Sequence, residues 1–454
     1  MASISSLGVG SGLDLNGLLG QLQEAERAKL EPIQQQVQEQ EVKISAYGEL
    51  QSSLSSFQDA ASKLSDSSLF QGHNASVTGD AFEAAANSDA ATGEYSVTVN
   101  DLATAGSLAT QRVSDPTAEI SSGATDLDLT FEDATLDTTV TIAADSTLED
   151  IRDAVNADSE AAVNASIVND GEGYRLALMS EDTGQQASIT GTNFATVADQ
   201  ATLTDATVAQ AGQDASLDVN GIAISSTTNQ VEDAIQGVTL NLEQQGSGTL
   251  SVARDDDSIR EAVTGFVESY NDLKETSGSL SAFNGEEGEA GALIGDNAVR
   301  TIESRLRSDL AAGVSVDGEQ SLLSDVGLSM TVDGTLELDE GELDAALAED
   351  PAAVEAYFAG NETVPGLAGR VTETAEQLTS ENGALTTSLD GAENRIDSLN
   401  DRYARVEDSI EQTIDRYRTQ FSQLDAMVAQ MNQTSSYLTQ QLSNLGGGQS
   451  GGLL

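Results

Sequence analysis

An apolar heptad beat near the C-terminal end constrains this chain more than any other feature. Leu389, Ala392, Ile396, Leu399, Tyr403, Val406 and Ile410 are spaced alternately by threes and fours, so all of them fall on one stripe of an α-helix. Val406, Ile410 and Ile414 then stand at two successive fours, a stutter that locally unwinds a supercoil. Tyr417, Phe421, Leu424, Val428, Met431, Ser435, Leu438, Leu442 and Leu445 resume the beat. No proline interrupts the run, and Gly391 near its start costs about 1 kcal/mol against alanine. A rod from Leu389 to Leu445 reaches roughly 85 Å, far beyond the needs of a compact domain. Such a helix needs partners along its length. The stutter divides it into a first half expected to pack inside a folded domain and a second half, from Tyr417, expected to order on assembly.

The N-terminal end is helical in kind as well. Asp14 is placed to cap a helix opened by Leu15, Leu18, Leu19 and Leu22. Pro32 breaks or kinks that run, and Ile33, Val37, Ile44, Tyr47, Leu50, Leu54, Phe57, Ala61 and Leu64 mark a second stripe. Because of this break, the N-terminal helices do not match the C-terminal rod register for register, so part of the rod's stripe is expected to stay open.

From about Thr78 the period falls to two. Tyr95, Val97 and Val99, then Leu127, Leu129 and Phe131, then Val140 and Ile142 alternate with polar residues, as half-buried strands do. Ser146 and Glu149 stand at capping-box spacing before a short helix carrying Ile151 and Val155. Ala165 and Ile167 lead through Asn169-Asp170-Gly171 to Tyr174, Leu176 and Leu178, a hairpin. Leu217, Val219, Asn220-Gly221, Ile222 and Ile224 predict another, with Val238–Leu242 and Leu250–Val252 completing a β-rich region. Helical spacing returns at Asp257, where Ser258 and Glu261 repeat the capping-box spacing before Ile259, Val263, Phe266, Val267, Tyr270 and Leu273. Phe283 to Gly291 reads as a loop, Asn297 to Ala311 as a helix, and Leu328, Met330 and Val332 face Leu336 and Leu338 across Asp333-Gly334. A short helix from Glu342 to Ala348 is expected to stop before Pro351, with a loop from Gly360 to Gly369.

Composition narrows the function. The 454 residues suffice for about three or four domains. Net charge is −57, which repels nucleic acid and anionic lipid. With only Lys29, Lys43, Lys63 and Lys274 as lysines, the surface suits a salt-rich setting, and the fold is expected to loosen in low salt. The absence of cysteine removes disulfides, thiolate metal sites and cysteine nucleophiles together. MASISSLGVGSG has neither a basic n-region nor a long apolar h-region, so no cleavable signal is expected, and no apolar run is long enough to span a membrane. His73 is the sole histidine, which leaves a Ser-His-Asp site without support against a plain surface role. Asp255 to Asp257 read as helix-capping carboxylates in preference to a cation site. Gly8, Gly10 and Gly12 are no phosphate loop, because no strand precedes them and no Gly-Lys-Ser/Thr follows. No catalytic, metal or cofactor site is expected.

Several stretches resemble the flagellar filament cap, or hook-associated protein 2, family over nearly the whole chain. They are Gly10-Ser11-Gly12-Leu13-Asp14, then Phe266-Val267-Glu268-Ser269-Tyr270-Asn271-Asp272-Leu273, Gly295-Asp296, Gly327-Leu328 through Leu338-Asp339, Gln420-Phe421 to Leu424-Asp425, Met431-Asn432 and Ser435-Ser436-Tyr437-Leu438. Thr147-Leu148-Glu149-Asp150-Ile151 to Asn156, with Ala165 to Asp170 and Tyr174-Arg175-Leu176, looks like the inserted motif shared by flagellins and hook-associated proteins. The resemblance implies an α+β, multi-domain, out-and-back chain with terminal coiled-coil helices and inserted β-rich domains. It implies residues 1–45 as a leg helix pairing with 415–454, residues 46–77 as a helical leg part pairing with 255–414, and residues 78–254 as β-rich plate domains. It also implies export through the flagellar channel and a homo-oligomeric ring at the filament tip. Flagellin, the hook-filament junction proteins and an export chaperone are then the partners, with no nucleic acid and no membrane. Leu15, Leu18, Leu22, Tyr417, Phe421, Leu424, Val428, Met431 and Leu438 are the expected interface. The alternatives are a secreted adhesin and another axial component such as flagellin or a junction protein.

Overall fold

The computed structural model describes residues 12–199, 203, 205–283, 290–316, 319–361 and 363–446. The fold is α+β, and both chain ends build one compact unit, from the described residues up to Asp66 and from Arg260 onward, while Ser67–Ile259 form a second. In chain order the helices are α1 (Leu15–Arg27), α2 (Glu31–Ser65), α3 (Leu148–Ala157), α4 (Phe194–Val197), α5 (Asp256–Ser281), α6 (Asn297–Ala311), α7 (Glu340–Glu349), α8 (Pro351–Phe358), α9 (Leu367–Thr379) and α10 (Ala384–Gly446). The strands are β1 (His73–Thr78), β2 (Phe82–Ala86), β3 (Gly93–Asp101), β4 (Ala105–Ala109), β5 (Thr125–Phe131), β6 (Thr138–Ile142), β7 (Val163–Asn169), β8 (Tyr174–Thr183), β9 (Ile189–Thr192) and β10 (Val208–Gln210). There follow β11 (Ala215–Val219), β12 (Ile222–Ser226), β13 (Gln230–Ile235), β14 (Val238–Leu242), β15 (Gly246–Arg254), β16 (Val314–Val316), β17 (Glu319–Ser321), β18 (Leu328–Met330) and β19 (Leu336–Leu338).

The helical unit is held by stripes laid side by side. Asp14 accepts the Gly17 N–H at 2.8 Å and starts α1. Pro32 sits in the first turn of α2, where a missing N–H costs no helical bond, so it opens a new helix instead of kinking an old one. Tyr47, Leu50, Leu54, Phe57, Ala61 and Leu64 of α2 are buried. Phe57 meets Phe266 and Tyr270 of α5, with ring centroids 5.0 and 5.4 Å apart. The Tyr47 hydroxyl donates to Asp296 at 2.6 Å, and Asp296 also caps α6 through the Ala298 N–H. Burial and the Asp296 carboxylate raise the Tyr47 pKa far above the usual phenol range.

The β unit is nested. Among the described residues, β1-β15-β3-β11-β12 form one sheet and β13-β14-β2 another, sharing a core of Val97, Val99, Leu217, Leu240 and Leu250. Inserted between β3 and β11 are the sheets β10-β4-β8-β7 and β6-β5-β9 with α3, around Leu108, Leu127, Ile151, Leu176 and Leu178. The two expected hairpins form, β7–β8 with Asn169 opposite Tyr174, and β11–β12 across Asn220 and Gly221, both at positive φ (52° and 80°).

Several expectations shift. The cap of α3 is Thr147, not Ser146: its hydroxyl accepts the Asp150 N–H at 3.1 Å while Asp150 accepts the Thr147 N–H at 2.9 Å. Asp reaches back as Glu would, one register later. At α5 the Asp255 carboxylate, not Ser258, accepts the first-turn N–H, that of Ser258, at 3.1 Å. Strand structure begins at His73, because β1 pairs along β15 from His73 opposite Arg254. Val332 is fully exposed at the tip of the β18–β19 hairpin, since Thr331 and Thr335 close the turn on each other through their hydroxyls at 2.8 Å. The helix before Pro351 runs from Glu340 and stops at Glu349 as expected, and Pro351 opens a further helix, α8, with Asp350 as its cap. The stretch from Gly360 gives way to α9 at Leu367. The loop after Phe283 lies mostly outside the described residues. Finally, α10 is one continuous helix of 63 residues, so Tyr417 marks no break in its backbone.

Candidate assembly interface

The stripe of α10 is covered by degrees. Leu385, Ala392, Leu399, Ile410 and Ile414 are buried, whereas Leu389, Ile396, Tyr403, Val406, Tyr417 and Phe421 are half-buried. From Gln430 to Ser443 every residue is exposed. At the stutter, Leu19 and Leu30 bury against Ile410 and Ile414, with Leu22, Tyr403, Val406, Tyr417 and Phe421 packed around them. Each four-residue step turns the stripe by about 40°. Both ends of the second step, Ile410 and Ile414, are taken up by α1 and its turn. Each isoleucine buried there contributes about 1.5–3 kcal/mol. The Gln34 amide donates to the Tyr403 hydroxyl at 3.3 Å and ties α2 to the same place.

The nine expected interface residues divide into two groups. Leu15 is buried, and Leu22, Tyr417 and Phe421 are half-buried in the clasp, the two rings stacked with centroids 6.4 Å apart. Leu18 faces away from it, 50% exposed. On distal α10, Leu424, Met431 and Leu438 are 44%, 66% and 54% exposed, and Val428 is half-exposed. Met427 and Tyr437 were missed by the heptad reading and are also open, widening the stripe. A signal for them exists in the chain. From Thr419 to Gly446 the only charged residue is Asp425, although the rod from Asp390 to Arg418 carries charges on every turn. Helices that expect water carry charges, and those that expect another protein shed them at the contact.

Chemistry elsewhere is thin. His73 lies on β1 opposite Arg254, and its Nδ1 is covered and unbonded, so no carboxylate orients the ring through that nitrogen. Asp256 pairs with Arg254 at 3.0 Å. Among the described residues no group of three His, Asp or Glu side chains is placed to hold a metal, and no helix is long and apolar enough to cross a membrane.

Residues 11–106 match the family described as "Flagellar hook-associated protein 2 N-terminus", residues 212–433 its C-terminus, and residues 128–182 the "Flagellin hook IN motif". The last range covers β5 to β8 with α3. The flagellar hook-associated protein 2 of Escherichia coli (strain K12) is 36% identical over 98% of this chain and 99% of its own. That of Salmonella typhimurium is 34% identical over the same shares. The crystal structure of the flagellar cap protein D1-D2-D3 domains from Escherichia coli superposes with a TM-score of 0.65 at 32% identity, covering 77% of this chain and 99% of that one.

Proposed function

The chain belongs to the flagellar hook-associated protein 2 family, and we propose that it caps the tip of the bacterial flagellar filament. The work is mechanical: copies assemble into a ring that closes the filament end and lets flagellin add beneath it. No catalysis is part of this role. Residues 1–45 and 415–454 engage the filament end, residues 46–77 and 255–414 form the leg, and residues 78–254 form the plate. The chain reaches the outside through the flagellar export channel, held beforehand by an export chaperone, and follows the hook-filament junction proteins.

One observation carries the reading. The heptad beat of α10 continues beyond its α1 clasp as an open stripe, almost free of charge, in a chain with net charge −57. A helix that exposes Leu424, Met427, Met431, Leu438 and Leu442 this way is built to be covered by other helices. Leu22, Tyr417 and Phe421 in the clasp mark where that covering begins, Val428 lies within it, and Leu15 and Leu18 are the contacts proposed on α1.

The test is a chain with Leu424→Asp, Met431→Asp and Leu438→Asp. Its circular dichroism should match the unchanged chain, while cells carrying it should lose motility and shed unpolymerised flagellin into the medium. Motile cells with normal filaments would refute the proposal. Filaments retained with surface attachment lost would indicate an adhesin, and absence of shed flagellin would indicate a flagellin-like subunit.

A further inference from the structure

The open stripe of α10 has a chemistry that its heptad beat does not explain. Beyond the α1 clasp, Leu424, Met427, Met431, Leu438 and Leu442 are 44%, 65%, 66%, 54% and 69% exposed. Their spacings of three, four, seven and four keep them on one line of the helix, with the two methionines one turn apart in its middle. Leucine would hold the beat equally well, since the two residues have nearly the same helix propensity. What methionine adds is an unbranched, adaptable side chain carrying a sulfur atom.

Sulfur is scarce elsewhere. The chain has no cysteine and five methionines among its 454 residues. Met1 lies outside the described residues. Met330 on β18 is half-buried opposite Leu336. Met179 on β8 is 56% exposed, but the residues opposite it, Ser107 and Asn164, are polar. Among the described residues, only Met427 and Met431 place an exposed thioether inside an apolar stripe.

A thioether has no proton to lose before it reacts with a peroxide, so its reactivity follows access. The sulfur lone pair attacks one peroxide oxygen, the O–O bond breaks and an S–O bond forms. The leaving hydroxide takes up the proton of the transferred oxygen and departs as water. Sulfur has then lost two electrons and the peroxide has gained them. Methionine sulfoxide is polar and carries a strong hydrogen-bond acceptor. The side chains beside it on the stripe, Leu424, Val428 and Leu438, offer no donor, so covering the oxidised stripe removes water from the sulfoxide and returns nothing.

We propose that Met427 and Met431 form a reversible oxidation site for hydrogen peroxide, and that their sulfoxides block the covering of distal α10. The site is open in the free chain and closed once other helices lie on it, so the oxidant acts on unassembled subunits. A methionine sulfoxide reductase returns the thioether, two thiols becoming a disulfide as the oxygen leaves in water. The effect on assembly rests on the capping role proposed above; the oxidation site does not.

The full chain is treated with hydrogen peroxide and digested for peptide mass spectrometry. Met427 and Met431 should each gain an oxygen at least about fivefold faster than Met330. Circular dichroism should stay unchanged, because both side chains face water. Treated and untreated chains are then added to cells that lack their own copy. Treatment should lower filament growth at least about fivefold, as an unpaired acceptor at a contact does. Incubation with methionine sulfoxide reductase and dithiothreitol should restore it. A chain with Met427→Leu and Met431→Leu, compared with itself before treatment, should lose nothing on treatment although Met179 still oxidises. The proposal is overturned if Met427 and Met431 react no faster than Met330, if the treated chain caps as well as the untreated one, or if the leucine chain loses as much. Failure of the untreated chain to restore filaments would count against capping itself, and the oxidation rates would still decide the site.

Discussion

At the scale of residues, asparagine does work that the hydrophobic pattern does not announce. Asn156 clamps Ala165, Asn229 clamps Ala103 (2.7 and 3.0 Å), and Asn271 clamps Leu336 (2.8 and 2.9 Å). Each side chain accepts one backbone N–H and donates to the carbonyl of the same residue, standing in for a missing strand. A carboxylate of equal size can do only the first. Asn271→Asp should therefore lower the stability of the helical unit by about 1–3 kcal/mol, the cost of a buried carbonyl left unpaired, read from its urea midpoint. The second device is the pair of arginines on Asp170. Hydrogen bonds from Arg112 and then Arg175 hold its carboxyl well below the usual range. A depressed carboxylate contributes stability above its unfolded pKa of about 3.9, and loses it as pH falls through the folded value. Arg175→Met should return Asp170 toward the ordinary range in an NMR titration. It should also destabilise the β unit at neutral pH, with the difference shrinking in acid. Neither device was legible beforehand, because an amide or a guanidinium shows its partner only after distant strands have met.

At the scale of elements, one helix serves two purposes along its length. Ile414 is 5% exposed beneath α1, and Ile414→Ala should cost the monomer about 2–5 kcal/mol. Leu438→Asp, on the open part of the same stripe, should change monomer stability by no more than about 0.5 kcal/mol and abolish assembly instead. Thermal unfolding of the two variants beside a motility assay distinguishes them. The heptad period identified the stripe and most of its residues correctly. It could not say where cover ends, because α2, α6 and α9 also pack on α10 and the 13 residues of α1, about 20 Å, extend that cover over only part of a helix about 95 Å long. Spacing ends α7 before Pro351, as the structure does, but does not announce α8: a proline forbids an earlier helix yet suits the first turn of a new one, and the Asp350 cap starts that second helix.

At the scale of the whole molecule, acidity sets the conditions under which everything else holds. A net charge of −57 opposes compaction, and salt shortens its range. Unfolding temperature by circular dichroism should rise from dilute buffer to molar salt, and a flat profile would show that charge repulsion does not limit stability. The sequence by itself determined the fold class, the helical ends, the β middle and the stripe of α10, because these follow from spacings of two, three and four residues along the chain. Tertiary structure alone decided that the β unit is nested, that Arg112 and Arg175 share Asp170, and that α1 covers Ile410 and Ile414. It also decided that the apolar stripe lies bare beyond them. Spacing is a local property, whereas cover depends on where other parts of the chain come to rest, and on α10 the helices packed against it leave its last turns exposed.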